Sequence, residues 1–91
     1  MLRITVDGHA RVLTLRLEGR LEGPWVPEVE RCWRTMLDAV NEPTITVDLT
    51  DVTYIDVAGR AQLAEMHERG ARFIAEDCMT KAVVAEIVGD E

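Results

Sequence analysis

The stretch that decides the fold is ITVDLTDVTYIDVAGR, residues 45–60. It opens with β-branched residues that alternate with polar ones, a pattern typical of a strand over residues 45–49. Residues 50–53 predict a loop with Asp51 as a turn former. Asp56 suits the cap of a following helix, because its short carboxylate can accept hydrogen bonds from the first free amides. A buried strand, a loop and a helix are therefore predicted in this order.

The helix after Asp56 is predicted to turn Leu63 and Met66 inward, with Ala58 and Ala61 allowing close approach. Gly70 is well placed to end it. A short strand over residues 72–75 and a final helix capped by Asp77 follow. The apolar side of that last helix comprises Met79, Ala82, Val83 and Ile87.

Two strands and a helix precede the central stretch. Residues 2–6 and 12–17 alternate in hydrophobicity, and Asp7-Gly8 between them predicts a hairpin turn. Gly19 and Gly23 break this pattern, and the apolar spacing then becomes helical up to residues 41–43, where Asn-Glu-Pro ends the helix. The predicted order is β-β-α-β-α-β-α. The fold class is therefore α/β, with a mixed sheet covered by helices. The apolar stripe of the first helix comprises Val26, Val29, Trp33, Met36, Leu37 and Val40.

Length and composition limit the class of protein. The chain has 91 residues, enough for a single domain over residues 1–91. Its net charge of −7 repels phosphate backbones and makes nucleic acid an improbable partner. The sequence has no apolar run long enough to insert into a membrane and no signal-peptide core, so a cytoplasmic, bacterial protein is expected. Residues 89–91 form a short acidic end.

Catalytic, metal and cofactor sites are not indicated by the residues. Cys32 and Cys78 lie far apart, with no CxxC spacing and no histidine cluster, and both are expected to be half-buried thiols. The sequence contains no serine and nothing that brings a catalytic triad together, so no enzyme is predicted. Asp48, Asp51 and Asp56 are better explained as strand, turn and cap residues than as ligands of a hard metal. No glycine-rich loop suggests a nucleotide, and no cofactor is expected.

The central motif also carries a family resemblance. The segment VDLTDVTYIDVAG, residues 47–59, resembles the signature of STAS domains, the sulfate transporter and anti-sigma-factor antagonist family. The preceding LEGRL at residues 17–21 and the later GARFI at residues 70–74 fit the same pattern. The resemblance extends over residues 2–88 and weakens at the end, where family members commonly continue with one more strand and helix.

The resemblance implies a role in signalling and transcription regulation. Such antagonists bind a kinase-like anti-sigma factor, and phosphorylation of a serine directly after the motif's Asp releases them. Here Val57 occupies that position and offers no hydroxyl. One hypothesis is a constitutive binder; the other is that Val57 is only a packed first-turn residue in a lineage that has lost this regulation. Thr50 and Thr53 are the nearest alternative phosphoacceptors, although turn chemistry explains them better.

The resemblance places the partner-binding surface on the predicted loop and the first turn of the helix. The protein partner is a kinase-like anti-sigma factor; the alternative is that the chain is a soluble accessory subunit of a membrane transporter and binds its ATPase. Nucleotide sensing is a third hypothesis. Self-association as a homodimer also remains open. The predicted partner-binding residues are Thr50, Asp51, Thr53, Asp56, Val57, Ala58, Gly59 and Arg60.

Overall fold

The computed structural model describes residues 1–89, so Asp90 and Glu91 of the expected acidic end lie outside the described residues. Within this range the order of strands and helices is the predicted one, with a short 3-10 helix added before the first α-helix. The elements are β1 (Leu2–His9), β2 (Val12–Leu21), the 3-10 helix (Gly23–Trp25), α1 (Val26–Ala39), β3 (Thr44–Ile55), α2 (Val57–Glu68), β4 (Arg72–Ile74) and α3 (Cys78–Gly89).

The strands form one mixed sheet in the order β1-β2-β3-β4. β1 and β2 are antiparallel, and β2, β3 and β4 are parallel to one another. Parallel neighbours need a crossover, which α1 supplies between β2 and β3 and α2 supplies between β3 and β4. The α/β fold class and the mixed sheet are therefore confirmed.

The core lies between the sheet and the helices. Leu15 and Leu17 of β2 are fully buried, whereas Arg16 between them is exposed, so one face of the sheet is apolar and the other is polar. Trp33 is 3% exposed, which confirms its predicted place in the core. The helices contribute Val29, Met36, Leu63, Met66, Val83 and Ile87 to the same cluster.

The prediction of a loop over residues 50–53 is wrong, because these residues belong to β3, which continues to Ile55. Two register shifts between β2 and β3 explain the error: the pairs Arg16–Asp48 and Glu18–Asp51 differ by an extra residue in β3, and a second shift follows at Gly19. Each bulge reverses the alternation of side chains. Leu49 and Val52 are consequently both buried although they lie three positions apart.

The predicted hairpin turn at Asp7-Gly8 is also displaced. Both residues pair with β2, and the turn consists of Ala10 and Arg11. Ala10 takes a left-handed φ of 57°, a conformation more common for Asn or Gly, so no residue pattern indicated a turn at this position. Gly19, predicted to end the strand, lies inside β2.

Two helix faces differ from the prediction. On α2, Ala58 and Ala61 are exposed, and Gly59 and Gln62 are buried beside Leu63 and Met66 instead. On α3, Ala82 is exposed and Thr80 is buried. Buried polar groups need partners, and Thr80 finds one in Asp77, whose carboxylate accepts hydrogen bonds from its amide and its hydroxyl. The predicted cap of this helix by Asp77 is thereby confirmed.

Candidate functional site

The most exposed apolar side chain of the central motif is Val57, the first residue of α2, which is 87% exposed. An aliphatic side chain at the surface gains free energy by being covered, because about 25 cal/mol is recovered for each Å² of apolar area removed from water. The alternative hypothesis supposed that Val57 packs into this chain's own core. Its exposure shows that it does not.

Asp56 fixes the start of α2 in position. Its Oδ1 accepts a hydrogen bond of 2.7 Å from the amide of Gly59, which confirms the predicted cap. Its Oδ2 accepts a second bond of 2.8 Å from the amide of Gly23, 33 positions earlier in the chain. The backbone amide of Asp56 donates to the carbonyl of Leu21 at 3.1 Å. The carboxylate thus ties the helix to the segment that follows β2, and Val57 is presented from a rigid turn.

These bonds favour the ionised carboxylate. The hydrogen bond from the amide of Gly23 has the largest effect and that from Gly59 the next largest, and both lower the pKa of Asp56 below its ordinary value. A group whose pKa is lower in the folded than in the unfolded chain adds stability above its unfolded pKa of about 3.9, and the contribution is lost as the pH falls through the folded pKa.

Asp56→Asn should therefore lower the melting temperature in a pH-dependent way. The amide of Asn can still cap α2 through its oxygen, but its NH2 group cannot accept the bond from Gly23. We expect a decrease of about 5 °C at pH 7, and a difference from the wild type that shrinks as the pH falls below about 4. Thermal denaturation between pH 3 and 7 measures this; a difference that stays constant over the whole range would contradict the role given to the charge.

Gly59 lies beneath the exposed turn. A Cβ built at this glycine would lie 2.7 Å from the carbonyl oxygen of Leu21 and 2.9 Å from its Cγ. The close approach that Gly59 permits in the free chain is thus to this chain's own β2, and the residue is buried there. Its function is to let α2 lie against Leu21.

An open groove runs from Val57 along α2 and α3 and has a volume of about 680 Å³. Across it, Arg60 Nη1 lies 2.6 Å from Glu86 Oε2, an ion pair in which both side chains are more than half exposed. Such exposed pairs contribute between about 0 and 1 kcal/mol, so the pair is weak enough to open for a partner. The groove is lined by Val57, Arg60, Ala61, Ala64, His67, Glu68, Glu86 and Ile87.

Thr50 and Asp51 belong to a different surface, the polar face of the sheet. Asp51 Oδ2 accepts a hydrogen bond of 2.8 Å from Arg16 on β2. The Thr50 hydroxyl donates to Asp48 Oδ1 at 2.6 Å. Burial by itself would raise the pKa of Asp48, but the hydroxyl and the amide of Thr50 together with the charge of Arg16 lower it. These side chains are engaged with one another and are not directed to the start of α2.

Thr53 and its neighbour Tyr54 lie closer to that start. Thr53 donates its hydroxyl to the carbonyl of Gly19 at 3.2 Å. Tyr54 is 41% exposed, and the guanidinium carbon of Arg20 lies 4.4 Å from the centre of its ring. Tyr54 was not among the predicted site residues, although an aromatic residue inside the motif of a chain with only 4% aromatic residues was a usable signal.

Other reactive groups do not gather into a site. Cys32 is half-buried in α1, but Cys78 is exposed, contrary to the expectation of two half-buried thiols. Among residues 1–89, no three His, Cys, Asp or Glu side chains are close enough to hold a metal ion. None of the helices within residues 1–89 has the length and the hydropathy of a transmembrane span.

Comparison with a collection of family models gives one match. The model described as "Mlab, STAS domain" matches residues 4–75. These residues include the hairpin, the central motif, α2 and β4, which is most of the chain. No curated protein matches the sequence at a significant level.

Solved structures with a similar backbone support the same fold. One is an anti-sigma factor antagonist from Mycobacterium paratuberculosis, with a TM-score of 0.82 and 19% identity, covering 98% of this chain and 79% of that one. Another is Mglu, with a TM-score of 0.62 and 23% identity, covering 80% of this chain and 19% of that one. An uncharacterised DUF3478-family protein with a SpoIIAA-like fold, from Shewanella loihica PV-4, has a TM-score of 0.60 and 9% identity, covering 87% of this chain and 70% of that one.

Proposed function

The chain belongs to the family described as "Mlab, STAS domain", and from this membership we propose that it is a non-enzymatic protein-binding module of the anti-sigma-factor antagonist kind. In this proposal a single domain acts in the bacterial cytoplasm as a component of transcription-regulating signalling. The observation that carries the proposal is the 87% exposure of Val57 at the first position of α2.

The proposed contact surface is the α2 docking face, which consists of Val57, Ala58, Arg60 and Ala61. All four side chains are exposed. The hydrogen bonds of Asp56 and the close packing of Gly59 hold this turn in one conformation from both sides. A preorganised surface loses little conformational entropy when it binds, so more of the contact energy appears as affinity.

The residues in and near the docking face also support constitutive binding, which phosphorylation does not turn off. Val57 stands where the family's acceptor serine is expected, and it has no hydroxyl. The hydroxyls of Thr50 and Thr53 donate hydrogen bonds within the sheet, to Asp48 and to the carbonyl of Gly19. Phosphorylation of either threonine would remove the hydroxyl hydrogen that makes this bond, which makes both poor substitutes for the serine.

Affinity purification from the native cell tests this proposal. We expect the chain to retain a kinase-like anti-sigma factor, and we expect added ATP and Mg²⁺ to leave the amount retained unchanged, because the docking face carries no acceptor group. Retention of a transporter ATPase instead would support the accessory-subunit alternative. Release of the anti-sigma factor on addition of ATP, with a phosphoryl group found on Thr50 or Thr53, would contradict constitutive binding.

A further inference from the structure

The outer strand β1 presents an open edge of the sheet. It spans Leu2–His9, pairs with β2 alone among residues 1–89, and contains neither proline nor lysine, two of the residues that protect such edges. Its Val6 is 49% exposed. The opposite edge, β4, is only three residues long. β1 is therefore the long edge of the sheet, and within residues 1–89 its outer side has no strand partner.

When two copies of β1 are aligned antiparallel, their opposed side chains are complementary in charge and in polarity. With Thr5 opposite the partner's Thr5, Arg3 lies opposite the partner's Asp7, and Ile4 lies opposite the partner's Val6. The same two contacts recur on the other side of the two-fold axis. Directly opposed side chains in antiparallel strands lie about 4.5–5.5 Å apart at Cβ, close enough for an ion pair and for apolar contact.

The apolar and the charged side chains of β1 lie on opposite faces of the sheet, as this pairing requires. Ile4 and Val6 are paired in the sheet with the buried Leu17 and Leu15, so both point to the helix side. Arg3 and Asp7 lie with Thr5 on the polar side and are exposed. Within residues 1–89 neither Arg3 nor Asp7 forms an ion pair, although Asp7 Oδ1 accepts a hydrogen bond from the amide of Gly8.

We propose that β1 pairs with β1 of a second copy of this chain, in the register centred on Thr5, to form a two-fold symmetric dimer with one continuous sheet. A symmetric interface of this kind uses each contact twice, so the partner's Asp7 meets Arg3 while Asp7 meets the partner's Arg3. The net charge of −7 on each copy opposes association and makes the dimer dependent on concentration. The α2 docking face lies on another element, so this dimer does not depend on the proposed function.

Charge reversal tests both the edge and the register. In Arg3→Glu an acidic residue meets the partner's Asp7, and in Asp7→Arg a basic residue meets the partner's Arg3. We expect each variant alone to dissociate at least tenfold more readily than the wild type, because two favourable pairs become unfavourable. An equimolar mixture of the two should recover the dimer, because both of its cross-strand pairs join opposite charges.

Sedimentation velocity over a range of concentrations measures the fraction of dimer, with the mass of one chain, 10.2 kDa, as the monomer reference. Thermal denaturation of each variant verifies that it is folded, and Thr5→Arg, which places two like charges at the two-fold axis, provides a third disrupting variant. A wild type that stays monomeric up to millimolar concentration would overturn the proposal. So would a dimer that all three variants leave intact, or single variants that fail to recover when mixed.

Discussion

Val57→Asp is expected to weaken the complex with the protein partner by about 100-fold, which corresponds to about 2.8 kcal/mol. The wild-type side chain is 87% exposed in the free chain and is proposed to be covered in the complex. Replacement removes that apolar contact and leaves an unpaired carboxylate in the interface, whose desolvation is costly. Isothermal titration calorimetry with the purified partner measures the change.

The fold should tolerate this substitution. An acidic residue in the first turn of a helix interacts favourably with the helix dipole, so the melting temperature of Val57→Asp should equal or slightly exceed that of the wild type. Val12→Asp is a matched control, because Val12 is also exposed, at 63%, but begins β2 beside the hairpin turn. It should leave the affinity unchanged. Equal affinities for the wild type and a folded Val57→Asp would remove α2 from the interface.

Gly59→Ala is expected to lower the free energy of unfolding by about 1–2 kcal/mol. The added methyl group meets a backbone oxygen and the side chain of Leu21 at less than 3 Å, and overpacking of this kind costs about 1–3 kcal/mol. The better helix propensity of alanine returns up to about 1 kcal/mol of this. Urea denaturation followed by circular dichroism measures the difference.

Gly23→Ala supplies the matched control for this substitution. A Cβ at Gly23 would have no neighbouring atom within 4 Å, and its amide would still donate to Asp56. We expect a change within about 0.5 kcal/mol. If Gly59→Ala proved as stable as Gly23→Ala, the close packing of α2 on Leu21 would not be what holds the docking face in place.

Much of the fold could be predicted from local patterns. Asp56 and Asp77 were recognisable as caps, and Gly70 as a helix end, because each acts through bonds or conformations of its own neighbourhood; Gly70 indeed has a positive φ of 98°. The continuation of β3 could not be predicted, because its bulges are defined only by the register with β2. The turn at Ala10 was missed because alanine rarely adopts the conformation found there.

The candidate site was predicted less completely than the fold. The special position of Val57 followed from the motif, but its exposure depended on which face of α2 meets the core. The ion pair between Arg60 and Glu86 and the bond from Gly23 to Asp56 join residues far apart in the sequence, so no local pattern indicated them. The assignment of Thr50 and Asp51 to the polar face of the sheet likewise required the paired strands.

NMR titration of the isotopically labelled chain with its purified protein partner, in the absence of ATP, tests the docking of the α2 face most directly. We expect the largest amide shifts at residues 57–61, with smaller shifts along the groove towards Glu86. Binding that shifted only amides of the polar sheet face, such as those of Arg16 and Asp51, and left the start of α2 unchanged would contradict it.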